Sequence, residues 1–366
     1  MTHKTSHRAR HTLVFSFLLS SLGTLALQGN PALAADLPAF SAEDVFEMEY
    51  ANDPQVSPDG ARVAYVRSAM DIMTDRTRRS IWVVDVDGDN HRPLVSGSGT
   101  FSSPRWSPSG DRLAYLSNTE GKTQLFVKWL DGGETAKVTT LPESPRSIVW
   151  SPDGKHIAFT RFVPSPPPKL ADMPAKPKGA KWAEPATVVD RMTFRFDGGG
   201  YLPSGNQQVF VVPADGGAPR QMTSGDYPIS GSVSWMPDSQ SIIFSSNRRE
   251  DVEYHPRQND LYAASLVTGE LTQMTDHAGP ESDPAVSPNG RYLAYTSAAD
   301  TRQGYNRSDL RIMDLTSGES RSLTADLDRS VSDIQWSANS KNVWIRYNDL
   351  GVARIAEVDL KGNLKQ

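Results

Sequence analysis

Acyl transfer in an α/β-hydrolase needs Gly-x-Ser-x-Gly, because the strained elbow presenting the serine tolerates only small neighbours. The 366-residue sequence contains no such motif. Gly318-Glu319-Ser320-Arg321-Ser322 comes nearest, but it lacks the final glycine and falls on the turn of a repeat. The absence of cysteine excludes thiol catalysis, zinc–thiolate sites and a disulfide framework. His91, His156, His255 and His277 are scattered singly, without metal-ligand spacing. Asp85-Val86-Asp87-Gly88-Asp89-Asn90 has the acid alternation of a calcium loop, yet Asn90 stands where such a loop needs glycine and the liganding glutamate is missing. A hairpin turn is the expected reading. Gly198, Gly199 and Gly200 do not lie between a strand and a helix, so no phosphate cradle is expected. No catalytic residue, metal site or cofactor is expected.

Two acidic pairs, Glu47 with Glu49 and Glu250 with Glu253, could hold a substrate ammonium group; a solvated face is the plainer reading. The stretch 188–204 alternates aromatic and basic residues and contains three consecutive glycines. Within it Arg191, Arg195, Asp197 and Tyr201 are the substrate-binding candidates.

The elements that must position these residues come from a repeat. Ser57, Ser107, Ser151, Met236, Ser287 and Ser337 occupy equivalent places, spaced 50, 44, 85, 51 and 50 residues apart. Each sits between a short apolar strand and an alternating one, at a turn of the Ser-Pro-Asp-Gly kind. There proline presets φ, the aspartate bonds its own backbone, and glycine accepts positive φ. A third strand, a glycine-bearing hairpin and a fourth strand follow, the last commonly closing on Met222-Thr223, Met274-Thr275 or Leu323-Thr324. Four antiparallel strands per 45–50 residues predict an all-β fold, a β-propeller with six visible blades. The blades are placed at about 54–97, 104–140, 148–225, 233–276, 284–325 and an incomplete 334–366. Trp106, Trp150, Trp235 and Trp336 share one repeat position and are expected to pack between blades. Residues 36–53 read as a short helical segment, with a capping box beginning at Ser41. Residues 161–207 read as an insertion into blade three, Pro- and Lys-rich in its first half.

Composition bounds the remainder. A formal charge of -5 offers no basic field for nucleic acid. Residues 1–35 carry Lys4, Arg8 and Arg10, then an apolar run over 12–27 and Ala32-Leu33-Ala34, the order of a cleavable secretory signal. The expectation is an exported, acidic protein, periplasmic or secreted, with no membrane segment after cleavage.

Three segments carry a resemblance beyond generic blades: Asp190-RMTFRFDGGGYLPSG, Asp276-HAGPESDPAVSPNGRYLAYTS and Leu323-TADLDRSVSDIQWS. With the repeats, they make residues 38–366 resemble the N-terminal part of a prolyl-oligopeptidase-family (S9) serine peptidase, acylaminoacyl-peptidase-like branch. The resemblance implies a seven-bladed propeller that admits short peptides to a C-terminal α/β-hydrolase domain with a Ser-Asp-His triad. No segment of this chain matches that domain, so the chain is expected to be a fragment and inactive alone. No adjacent Glu-Glu occurs, which disfavours dipeptidyl-peptidase specificity. The alternative is a free-standing periplasmic TolB-like propeller that binds a peptide or protein partner.

Overall fold

The computed structural model describes residues 40–366 apart from positions 167, 173, 184, 185 and 302. The expected export sequence lies outside these residues. A single 3-10 turn, Glu43–Glu47, comes first, and the Ser41 N–H donates to the Asp44 carboxylate at 2.5 Å. Residues 49–53, expected to be helical, instead begin a strand, because Glu49, Tyr50 and Ala51 pair with Ala69, Ser68 and Arg67.

Six four-stranded antiparallel sheets follow. Blade one is β1 (Glu49–Val56), β2 (Arg62–Asp71), β3 (Arg76–Asp85) and β4 (Arg92–Val95). Blade two is β5 (Phe101–Trp106), β6 (Arg112–Ser117), β7 (Gln124–Trp129) and β8 (Thr135–Lys137). Blade three begins with β9 (Pro145–Trp150) and β10 (His156–Pro164), is interrupted by the hairpin β11 (Arg195–Phe196) and β12 (Gly200–Tyr201), and resumes with β13 (Gly205–Pro213) and β14 (Arg220–Gln221). Because β10 and β13 stay paired from His156–Pro213 out to Pro164–Gly205, the insertion proper spans 165–204, shorter than 161–207. Blade four is β15 (Ile229–Trp235), β16 (Ser241–Ser246), β17 (Asp260–Ser265) and β18 (Leu271–Gln273). Blade five is β19 (Glu281–Val286), β20 (Tyr292–Ala298), β21 (Ser308–Asp314) and β22 (Ser320–Ser322). Blade six is β23 (Val331–Trp336), β24 (Asn342–Asp349), β25 (Val352–Asp359) and β26 (Leu364–Lys365).

The first strands of successive blades contact one another, so they line the central axis. The turn chemistry expected from sequence is present. In blade one the Ser57 N–H donates to the Arg62 carbonyl, the Ser57 hydroxyl donates to Asp59, and Gly60 adopts φ +72°. Blades four and six lack glycine there, and Ser239 and Ser340 accept φ of 60° and 59°. Their hydroxyls compensate by accepting the Asp153 and Asn289 N–H groups of the preceding blade's turn, each at 3.1 Å.

Apolar clusters join blades one to two, two to three, three to four, four to five and five to six. Each repeat tryptophan lies in one of these seams. Trp106, Trp150, Trp235 and Trp336 donate Nε1–H to the carbonyls of Gln55, Arg105, Val149 and Ala285 in the preceding blade. The inter-blade reading therefore holds, with a hydrogen bond added to the packing. The closing threonines have an equally specific role. Thr139, Thr223, Thr275 and Thr324 each accept the N–H of Leu125, Val209, Leu261 or Leu310 on the neighbouring third strand, at 2.8–3.0 Å.

Among the described residues no such cluster joins blade six to blade one. The facing positions are exposed instead. Trp344 and Ile355 of blade six are 42% and 67% exposed, and Val56 of blade one is 61% exposed.

Candidate functional site

Strand alternation sorts the loops. The Ser-Pro-Asp-Gly turns and the third-to-fourth-strand hairpins share one face; the loops between second and third strands share the other. Residues 165–204, 247–259 and 299–307 thus belong to one face, which also carries the starts of the axial strands. Long ordered loops on a rigid scaffold are where binding residues concentrate.

On that face the insertion is tethered at two points. Arg191 Nη2 donates to both oxygens of Asp226 at 2.8 and 2.9 Å, and Asn206 adds a bond to Oδ1 at 2.6 Å. Burial pushes the Asp226 carboxyl up, but the bonds from Arg191 and Asn206 prevail and hold it below the ordinary carboxylate range. The Met192 N–H donates to Glu253 at 2.7 Å, linking the insertion to the 247–259 loop. A cavity of about 490 Å³ opens beside the first tether, lined by Pro164, Asp190, Arg191, Asn206, Gln208 and Asp226.

The four sequence candidates are not brought together as one site. Arg191 is consumed in the tether. Arg195, Asp197 and Tyr201 belong to the β11–β12 hairpin, whose turn uses Gly198 and Gly200 at φ +75° and +70°. Arg195 and Asp197 approach only to 4.0 Å, and both are exposed. Tyr201 is exposed and leans on Phe194, ring centroids 6.1 Å apart. The hairpin presents Phe196, Tyr201 and Arg195 outward as an aromatic and basic tip. Of the acidic pairs, Glu253 is a tether and Glu49 accepts from Arg67 Nε at 2.9 Å. The Asp85–Asn90 segment closes as a hairpin turn, with the Asp85 N–H donating to the Asp89 carbonyl. Among the described residues no three His, Cys, Asp or Glu side chains converge as metal ligands.

Two features escaped the sequence reading. The first is a bulge in every axial strand. Asp53, Ser103, Ser147, Asp283 and Asp333 adopt φ between 49° and 54°, each four residues before its turn serine. Gly231, at φ +71°, serves blade four, whose bulge is one residue longer. The bulges of the axial strands therefore carry short side chains, Asp or Ser in five blades, and Asp53 is bonded by Arg105 Nη1 at 2.9 and 3.0 Å. The recurring Asp or Ser at a fixed offset was the available signal. The second is a set of arginines laid over third-strand rings: Arg67 on Trp82 at 4.4 Å, Arg161 on Phe210 at 4.4 Å, and Arg248 on Tyr262 at 5.7 Å.

Comparison with known proteins agrees with this architecture. Residues 57–163 match the family described as TolB beta propeller domain, and residues 181–303 match the dipeptidyl peptidase IV (DPP IV) N-terminal region. The dipeptidyl-peptidase 5 of Porphyromonas gingivalis is 24% identical over 96% of this chain, and the uncharacterized peptidase YuxL of Bacillus subtilis is 29% identical over 61%. The matched parts make up 53% and 33% of those proteins, so the chain spans about half their length or less. An acylaminoacyl peptidase solved with Z-Gly-Gly-Phe-chloromethyl ketone superposes with a TM-score of 0.68 at 17% identity, over 89% of this chain and 47% of that one. These similarities support a relation to the N-terminal β-propellers of the prolyl-oligopeptidase (S9) family of serine peptidases.

Proposed function

We propose that this chain is the substrate-gating propeller of an exported serine peptidase of the acylaminoacyl-peptidase or oligopeptidase type. In this reading an α/β-hydrolase domain outside the sequence supplies the Ser-Asp-His triad. The propeller admits short peptides along its polar axis and turns folded proteins away. Its relatedness to peptidases across nearly the whole chain, with no nucleophile motif of its own, carries the reading. The small polar side chains at the axial bulges suit the passage of peptide backbone, which needs hydrogen-bonding partners once out of bulk water. The hydrolase domain and the peptides are its partners, and the long-loop face is where both would meet.

The match of residues 57–163 to the TolB propeller family supports a second reading, a free-standing propeller that binds a protein partner. One experiment separates the two. The purified chain is treated with a fluorophosphonate serine probe and titrated with blocked tetrapeptides. The gating reading expects no labelling and measurable peptide binding. Stoichiometric labelling would place a nucleophile within the propeller and overturn it; capture of a folded partner with no peptide binding favours the second reading.

A further inference from the structure

Most arginines on the long-loop face are matched to carboxylates: Arg67 to Glu49, Arg105 to Asp53, Arg191 to Asp226, Arg307 to Asp309 and Arg329 to Asp349. Arg248 is not. It begins the 247–259 loop, just beyond β16, and its guanidinium lies over two rings, 4.3 Å from the centroid of Tyr227 and 5.7 Å from that of Tyr262. Its Nη1 is buried with no hydrogen-bond partner, and among the described residues no carboxylate lies within 4 Å of it. Burial presses the group below its ordinary range, and Tyr262 and Tyr227 oppose the shift. An arginine nonetheless stays protonated. A buried donor left unmade is costly, so this one is held in place for something that arrives.

The surroundings fix its geometry. Tyr227 directly follows Asp226, which the Arg191 tether immobilises, and Asp226 has its oxygens taken by Arg191 and Asn206. The next arginine, Arg249, is directed elsewhere, to Asp251 at 3.8 Å. The Asp260 carboxyl accepts from the His277 N–H at 3.4 Å and from Gln273 at 3.2 Å. A planar fork laid over two rings, with a buried Nη1 that has no partner and no carboxylate within 4 Å, has the donors to take an anion in two parallel bonds.

We infer that Arg248 anchors a carboxylate of the peptide that the propeller admits, either its C-terminal carboxylate or an acidic side chain. The inference rests on the peptide-gating reading and deepens it. Both sources offer the same two oxygens, and the test separates them.

Three tetrapeptides of one sequence, all N-acetylated, are titrated by calorimetry into the full chain and into Arg248→Gln. One has a free C-terminus, one is C-terminally amidated, and one is amidated but carries an internal glutamate. A carboxylate-bearing peptide should bind at least tenfold tighter than the neutral one, and the advantage should vanish in Arg248→Gln and shrink at 0.5 M salt. Which carboxylate confers it identifies the source. Tyr227→Leu, which removes one ring and leaves the charge, should lower the advantage without abolishing it. Equal affinity of all three peptides for both proteins overturns the inference and leaves the gating reading standing. Failure of every peptide to bind either protein overturns both. An unchanged melting temperature of Arg248→Gln shows that the loss lies in the site, not the fold.

Discussion

Glu281 shows how one side chain can set a pH dependence. It opens β19, is 1% exposed, and its Oε2 has no hydrogen-bond partner. Burial raises its pKa from an ordinary 4.5 to about 7, Asp260 adds to the effect, and Thr275 and Arg311 oppose it. The folded state therefore holds a proton that the unfolded chain gives up near 4.5. The contribution is complete below pH 4.5, fades as pH rises towards 7, and is gone above; its full size is on the order of 3 kcal/mol. Glu281→Gln, which keeps the neutral shape, should match the wild type in urea denaturation at pH 4.5 and exceed it at pH 8. Equal losses of stability in the two proteins between those pH values would contradict the assignment. Nothing in the local sequence marks this glutamate. Its burial comes from the seam between blades four and five, where Ser245 donates to its carbonyl at 2.6 Å. Arg248 was invisible for the same reason: its two rings come from 21 positions upstream and 14 downstream. Arg191, by contrast, was legible as a notable residue, but its role was not, because Asp226 lies 35 positions away.

At the scale of elements the sequence was far more transparent. A Ser-Pro-Asp-Gly turn specifies its own hydrogen bonds within six residues, so its six copies could be placed without coordinates. The tryptophans were legible through their shared offset, although the backbone acceptor each one uses could not be read. Trp235 is 5% exposed and bonds to Val149 at 3.2 Å. Trp235→Phe retains most of the seam and loses the bond, so it should cost about 1–2 kcal/mol. Trp235→Ala also opens a cavity and should cost about 3–5 kcal/mol. Chemical denaturation of the two variants checks the ordering, and equal costs would mean that the bond contributes nothing. The axial bulges were missed because Asp or Ser, not glycine, holds the positive φ in five of the six blades, so only the recurrence of those residues at a fixed offset marked them. The expected helix failed over 49–53 for a related reason. A capping box can start a turn, but pairing with β2 claimed the residues after it.

The whole molecule is a chain of neighbours. Blades two to five are flanked on both sides; blades one and six each have one packed neighbour among the described residues. Blade six also differs in kind on its unpacked face. Trp344, Arg346, Ile355 and Glu357 stand where blade two has Ala114, Leu116, Leu125 and Val127. Stability in stacked repeats is close to a sum of intrinsic and interface terms, so the terminal blades should open first. Native-state amide exchange should be about tenfold or more faster in β2 and β24 than in β16. Uniform protection across all six blades would show that the ends are supported by contacts beyond these seams. The number of blades and their order were readable from the repeat, and six blades of an expected seven already implied two faces without partners.

The tryptophans all point the same way along the chain. Each reaches back to the blade before it, and Ser239 and Ser340 do likewise at the turns. No tryptophan needs a later blade to make its bond, although the Asp153 and Asn289 N–H groups find their acceptors only on the next one. A polypeptide emerging N-terminus first can therefore lay down each blade on a finished predecessor, like courses of brick, so that assembly keeps step with synthesis.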